Sequence, residues 1–466
     1  MLDRVFKIRA AGSTVEREIV AGITTFVTMA YIIVVNPAIL SFAGFPTGPT
    51  TVATVVVAVF GCWLMAFYAN RPIAVAPYMG ENAFVAFGLA SMLVMNSAGQ
   101  LVSITWQQRL GSVFVAGVAL LILTFLRARA WLAQSISTSM KHSFATGIGL
   151  FLLFIGLYQT GIVTSGVTGM AAGALEVKNG VLAAPAVPVK LGNLRDPAVL
   201  LAIGGFLLMA VLSYWRVHGA ILIGIVATAL AGLPLGIATA PKGVVAMPFV
   251  GDLSLAPIAL QLDLVGVLRL SFIPILLTLF LMSFLDTLGT LVGVGAAGNM
   301  LDKDGNFPDV QRPMAVDALS CIFASLVGTS TSGAFIESAT GIREGGRTGL
   351  TALVVGALFG LSIFFIPLAQ SLQTLRYAYG PALIMVGVLM VDAVRHIHFD
   401  DLTELVPAVV TIVMMLFTYN IANGLTAGLV IYPVMKIACG RWRDVKGGAW
   451  VLAGLCMVYY VFGILH

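Results

Sequence analysis

Charge is the scarcest property of this chain. Asp, Glu, Lys and Arg together supply 10% of its 466 residues, against 59% hydrophobic residues, and the mean hydropathy is +1.02. A soluble domain of this length cannot hide so much apolar surface while showing water so little charge, so that class is excluded. Cysteine is nearly as scarce. Cys62, Cys321, Cys439 and Cys456 are scattered, mostly within or beside apolar runs, which excludes a disulfide framework and a zinc site. The five histidines, His142, His218, His396, His398 and His466, fall at the ends of apolar runs. No H-E-x-x-H and no Ser/His/Asp set is present, which argues against a membrane-embedded hydrolase. No Walker A motif is present, which argues against direct use of ATP. Gly293-Val-Gly-Ala-Ala-Gly298 spells G-x-G-x-x-G, but no strand precedes it and close helix packing explains it better. Asp302-Lys-Asp-Gly-Asn306 hints at a calcium loop, yet its Gly comes fourth and Pro313 stands where the loop needs a Glu, so a solvated turn is the plainer reading.

What is abundant is long apolar sequence. Runs able to cross about 30 Å of hydrocarbon recur from end to end. The first follows a polar, mixed-charge leader (Arg4, Lys7, Arg9, Glu16, Arg17, Glu18) and is too long for the core of a cleavable signal peptide. The runs predict spans near 19–41, 50–69, 74–95, 109–126, 143–163, 197–214 and 217–239, then near 265–297, 314–327, 329–342, 349–370, 380–394, 403–419 and 421–438. A last apolar segment, 449–465, follows the basic residues Lys436, Arg441, Arg443 and Lys446. With the N-terminus inside, cytoplasmic ends receive Arg71, Arg127, Arg129, Lys141, Arg216, Lys303, Arg312, Arg343, Arg347 and Arg395. Roughly 18 of the 25 Lys and Arg then lie inside, as the positive-inside rule requires. The long outer connections 164–196 and 240–264 carry no recognisable soluble domain.

Fourteen spans read as two halves of seven, and an odd number per half makes the halves inverted relative to one another. The fold class expected is therefore an all-α polytopic membrane protein, a 7+7 inverted repeat with short extended breaks in spans 3 and 10. Span 3 opens with Arg71-Pro-Ile-Ala-Val-Ala-Pro-Tyr-Met-Gly-Glu-Asn-Ala83, with two prolines and a glycine before its helical part. Span 10 opens with the hydroxyl-rich Leu326-Val-Gly-Thr-Ser-Thr-Ser-Gly-Ala334. Interrupted spans at matching positions mark a binding site near the membrane midplane. Asp286 and Glu337 lie inside spans 8 and 10. An Asp at the centre of a membrane helix costs about 2.5–3.5 kcal/mol, and acids kept at that cost usually mark a substrate or ion path. Helix capping is the plainer alternative for Asp286, and a first-turn dipole contact for Glu337.

Several motifs together resemble one known family. They are Ala21-Gly-Ile-Thr-Thr-Phe-Val-Thr-Met-Ala-Tyr31 with Asn36-Pro37, Phe284-Leu-Asp-Thr-Leu-Gly-Thr290, Gly328-Thr-Ser-Thr331, Ile336-Glu-Ser-Ala339, and Glu344-Gly-Gly-Arg-Thr-Gly-Leu-Thr351. The chain resembles, over essentially its whole length, the nucleobase–cation symporter 2 family (the nucleobase:ascorbate transporter superfamily), in its AzgA-like branch of adenine, guanine and hypoxanthine permeases. The resemblance implies a core domain of spans 1–4 (19–128) and 8–11 (265–370), and a gate domain of spans 5–7 (129–239) and 12–14 (371–438). A cytoplasmic leader (1–18) and the apolar segment 439–466 flank them. It also implies proton-coupled uptake without another cofactor or metal, and a homodimer.

The family's two substrate-holding acids map onto Asp286 and Glu337. Their chemistry suits a purine, whose ring-edge N–H groups a carboxylate can accept in pairs. A buried acid favours its neutral form, so it can load a proton outside and release it inside. Asn82 matches the span-3 asparagine, with an interhelical hydrogen bond as its alternative role. Glu81 departs from the family pattern, which has an apolar residue there, and joins Asp286 and Glu337 as a candidate for proton coupling. Thr290, Ser330 and Thr331 are candidate lining residues. Phe26, Thr28, Tyr31 and Phe84 are candidates for contact with a planar ring, although aromatics at helical spacing are more often packing. The sequence thus predicts a permease, not an enzyme, in a bacterial plasma (inner) membrane. Its expected partners are a purine base and membrane lipid, with no nucleic acid. The alternative is a carrier of anions or other small solutes on the related 7+7 fold.

Overall fold

Hydrocarbon offers no partners to a peptide group, so a chain that crosses it must satisfy its backbone internally, and helices do this segment by segment. A computed structural model of the chain describes residues 2–95, 100–126, 135–169, 177–178, 181–182, 188–241, 243–298, 300, 307 and 309–462. Among them nine helical stretches are long and apolar enough to cross a membrane, by length and composition: Val15–Ser41, Thr47–Ala69, Trp106–Phe125, Thr138–Gln159, Pro197–Tyr214, Leu270–Ala297, Gly349–Gln373, Arg376–His396 and Ile421–Ala438. Shorter apolar helices span Ala220–Gly232 and Leu402–Phe417. The helix Gly447–Phe462 packs on Ile421–Ala438 and Ile273–Ala297. The Gly293–Gly298 stretch is helical, within Ile273–Ala297 up to its C-cap. Arg127, Arg129, His466 and the turn at 302–306 lie outside the described residues.

Local chemistry sets the helix ends. Side chains of Thr14, Thr105, Ser137, Asp196, Thr348, Asp401 and Asn420 each accept a hydrogen bond from a backbone N–H of the turn that follows, which satisfies donors the helix leaves free. Thr105 and Gln108 form a reciprocal capping box.

The first span departs from the single run 19–41. Its helix starts at Val15, behind the Thr14 cap, and ends at Met29; a second helix, Ile32–Ser41, follows at once with Tyr31 at the junction. Pro37 lies inside that second helix, where its missing N–H frees the carbonyl of Ile33. Gln373 Nε2 fills that vacancy with a 3.1 Å bond and also donates to Thr51 Oγ1 at 3.0 Å.

The two segments expected from sequence to be spans 3 and 10 contain strands. Val75–Pro77 (β1) and Ser332–Ala334 (β2) form an antiparallel pair in the register Val75↔Ala334, Ala76↔Gly333, Pro77↔Ser332. Tyr78 N–H to Thr331 O (3.0 Å) and Phe335 N–H to Ala74 O (2.9 Å) extend the ribbon at both ends. After β1 the chain runs as a helix Met79–Ala83, a π-helical turn Phe84–Gly88 and a 3-10 turn Leu89–Ser91. After β2 it runs into the helix Ser338–Arg343. In the outer connections, Val163–Ser165 pairs with Val189–Leu191.

Two polar clusters tie the helix ends together. Lys436, 2% exposed, pairs with Glu404 at 2.8 Å, and Ser137 Oγ donates to Glu404 at 2.6 Å. Near the start of the chain, buried Glu18 accepts from Arg347 N–H (2.9 Å), Thr348 N–H (3.2 Å) and Thr351 Oγ1 (2.6 Å), so it closes the start of the helix Gly349–Ser362. Glu18→Ala leaves those donors without a charged acceptor and should lower stability by about 1.5–3 kcal/mol, with Glu18→Gln losing less. The melting temperature of the purified protein in detergent measures this; no change in Glu18→Ala would remove Glu18 from the framework.

Candidate functional site

The ribbon of β1 and β2 is the floor of the site. Two strands leave two free edges, and inside a membrane those edges need partners. Cysteine thiols provide them. Cys62 Sγ, on the helix Thr47–Leu64, accepts from Val75 N–H and donates to Val75 O, both at 3.3 Å. Cys321 Sγ, on Gln311–Val327, accepts from Ser332 N–H at 3.4 Å and donates to Ser332 O at 2.9 Å. Each thiol comes from the helix immediately before its strand. Beneath the ribbon, a Cβ at Gly333 would run into the phenol of Tyr78, so only glycine fits there.

Acids converge on this floor from three helices and the turn after β2. Glu81, 1% exposed, accepts a 2.7 Å bond from Ser283 Oγ. Its second oxygen has no hydrogen-bond partner among the described protein atoms, although Thr331 stands close by. Asp286, one turn beyond Ser283 on Ile273–Ala297, is within electrostatic reach of Glu81, Glu337 and Asp317. Glu337 accepts a 2.8 Å bond from the Tyr31 hydroxyl. Asp317, 2% exposed, accepts from the Tyr78 hydroxyl at 3.0 Å, and that hydroxyl lies 3.1 Å from Thr287 Oγ1.

Exposure divides these groups into two layers. Asp286 and Glu337 are half-buried, and next to them Gly289 and Ile336 are exposed, with open space where a Cβ at Gly289 would stand. Glu81, Asn82, Asp317, Ser330, Thr331 and Ser332 are fully buried. Ser330, Thr331 and Ser332 present hydroxyl oxygens that bond to no other described protein atom. A half-buried pair of carboxylates thus lies within electrostatic reach of buried acids. Such a set can accept several N–H bonds from a planar polar ligand and can hold protons.

The other candidate residues take varied positions. Asn82 Nδ2 donates to Asn36 Oδ1, and Asn36 in turn donates to Thr54 Oγ1 at 2.7 Å and Thr329 Oγ1 at 3.1 Å. Thr290 is buried one turn past Asp286. Phe84 is fully buried, and Phe26 meets Phe359 edge to face at 5.1 Å. Tyr31, read from sequence as a ring contact, uses its hydroxyl on Glu337. Thr28 bonds back to Thr24 O at 2.7 Å. The sequence reading passed over Asp317, Tyr78 and the two thiols. Asp317 carried the same signal as Asp286, a single acid in the apolar run 314–327. The thiols carried none, because a cysteine in an apolar run looks like any small core residue.

Comparison with known proteins gives the family. A family model described as "Permease family" matches residues 16–427. The chain belongs to the nucleobase:ascorbate transporter family of permeases. It is 39% identical to the adenine permease AdeP of Escherichia coli (strain K12), over 100% of this chain and 97% of that protein. It is 37% identical to the guanine/hypoxanthine permease PbuO of Bacillus subtilis (strain 168), over 95% of this chain and 96% of that protein. Among solved structures, the transmembrane domain of a cyanobacterium bicarbonate transporter, BicA, superposes with a TM-score of 0.60 at 15% identity, covering 89% of this chain and 97% of that one. That likeness is one of fold. Membership makes the chain a multi-pass membrane permease and not an enzyme.

Gly333→Ala forces the Tyr78 ring off the ribbon and should cost about 1–3 kcal/mol of stability, as overpacking does. Gly289→Ala enters open space and should leave the melting temperature near that of the wild type. Equal melting temperatures for the two variants would contradict the packing described for the ribbon.

Proposed function

We propose that this permease imports purine nucleobases (adenine, guanine or hypoxanthine) by proton symport. The observation that carries the reading is the half-buried pair Asp286 and Glu337 within electrostatic reach of the buried acids Glu81 and Asp317. Relatives named for adenine and for guanine/hypoxanthine transport, alike over almost their whole length, support that substrate class. Asp286 and Glu337 hold the ring-edge N–H groups of the base, while Asn82, Thr290, Ser330 and Thr331 frame it and Phe26 and Phe84 shape the surrounding wall. Carboxyls that share a low-dielectric site bind protons between them rather than all remaining charged. Glu81, Asp286 and Glu337 are therefore the coupling groups, with the proton as the only coupling ion and no other cofactor.

The architecture we propose is the 7+7 inverted repeat of fourteen spans. That reading assigns spans to the nine long apolar helical stretches, to the shorter helices Ala220–Gly232, Gln311–Val327 and Leu402–Phe417, and to the two strand-containing segments. The matched use of Cys62 and Cys321 on the helices preceding β1 and β2 supports the correspondence of the halves. A core of 19–128 and 265–370 moves against a gate of 129–239 and 371–438 to alternate access. The protein sits in a bacterial plasma (inner) membrane as a homodimer with its N-terminus in the cytoplasm. An anion carrier is the second reading, favoured by the fold likeness to a bicarbonate transporter and to the anion transporter Slc26a9. The acids at the site oppose it, because clustered carboxylates repel an anion.

Uptake of labelled purines, with and without a proton gradient, tests the reading. Wild type should concentrate at least one purine when the gradient is present. Asp286→Asn and Glu337→Gln, which remove acceptors made for N–H groups, should each lose about 100-fold or more in uptake. Unchanged high-affinity uptake in both variants would remove the site assignment, and transport of anions but not bases would remove the function.

A further inference from the structure

The helix Trp106–Phe125 carries a single charged side chain, Arg109, and it is buried at 5% exposure. Among the described residues no carboxylate forms an ion pair with it. Its guanidinium instead serves backbone: Nη1 donates to Val85 O at 2.6 Å and to Ala86 O at 3.1 Å, and Nε reaches Ile104 O at 3.4 Å. Val85 and Ala86 belong to the π-helical turn Phe84–Gly88, which directly continues the helix bearing Glu81 and Asn82.

Three physical arguments converge on that contact. A π-turn shifts carbonyls out of the regular i→i+4 ladder and tends to occur at functional sites. The C-terminal end of a helix presents negative partial charge, which a cation complements. A buried carbonyl without a partner is costly, and so is a membrane-buried cation without one.

We infer that Arg109 is a positioning residue: by gripping the Val85 and Ala86 carbonyls it fixes the helical segment 79–91, and so the placement of Glu81 and Asn82 against Asp286 and Glu337. Arg109 acts through that segment and touches no substrate. The inference rests on the purine site proposed above.

The test is labelled-purine uptake by the full chain in proteoliposomes, with KM and Vmax per molecule measured for wild type, Arg109→Met and Arg109→Lys. Arg109→Met should raise KM by about tenfold while Vmax per molecule stays within about twofold. Arg109→Lys should raise KM by about threefold, because it keeps the charge but its single nitrogen cannot also reach Ile104 O. If Arg109→Met cannot be recovered from membranes, the Arg109→Lys value decides alone. Less protein recovered with KM unmoved is the signature of a purely structural role, and it overturns the inference. Wild type that takes up none of the three purines overturns the proposed function itself, whereas wild-type uptake with unmoved KM in the variants overturns only the role of Arg109.

Discussion

An extended backbone inside a membrane must find a partner for every N–H and C=O, and that requirement organises this protein. Helices meet it alone; a strand cannot. Here two short strands, one from each half of the chain, meet it with each other, and two thiols close the outer edges. The pairing brings residues some 250 positions apart into register (Val75 opposite Ala334). It therefore fixes, in one contact, the start of the helix that carries Glu81 and Asn82 on one side and the turn that carries Glu337 on the other.

The polar residues of the site are arranged around that contact by necessity. Tyr78 lies across Gly333, reaches Asp317 and comes close to Thr287, so the ribbon, the helix Gln311–Val327 and the helix Ile273–Ala297 are joined through one phenol. Tyr31, at the junction of the two helices of the first span, does the same for Glu337. Ser283 holds Glu81. Each acid has a specific hydroxyl partner or lies on the accessible face, and this is how several carboxyls coexist in a small volume. Asp286 and Glu337 are half-buried, whereas Glu81 and Asp317 are fully buried.

Much of this was legible in the sequence, for identifiable reasons. Apolar runs pointed to a mostly helical membrane protein, and the strands Val75–Pro77 and Ser332–Ala334 lie within the proline- and hydroxyl-rich stretches 71–83 and 326–334, because hydropathy and turn chemistry act locally. Asp286, Glu337 and Glu81 stood out because charge is so rare elsewhere. Contacts between distant segments were not legible. That Glu18 would close the helix starting at Gly349, that Gln373 would serve the carbonyl freed by Pro37, and that Tyr31 would act through its hydroxyl all depend on tertiary approach. The two-part first span also escaped, since an apolar run of that length reads as one helix. Asp317 could have been found by the rule applied to Asp286, and its absence from the sequence reading was an omission rather than a limit.

The central claim is that this clustered-acid site couples a purine to a proton. Proteoliposomes loaded with a pH-sensitive dye and containing the purified full chain test it directly, with an inward gradient of adenine, guanine or hypoxanthine as the only driving force. Acidification of the lumen on addition of a transported purine, absent when Asp286→Asn replaces the wild type, is the result expected. Purine entry with no change in luminal pH, or acidification that survives Asp286→Asn, would contradict it.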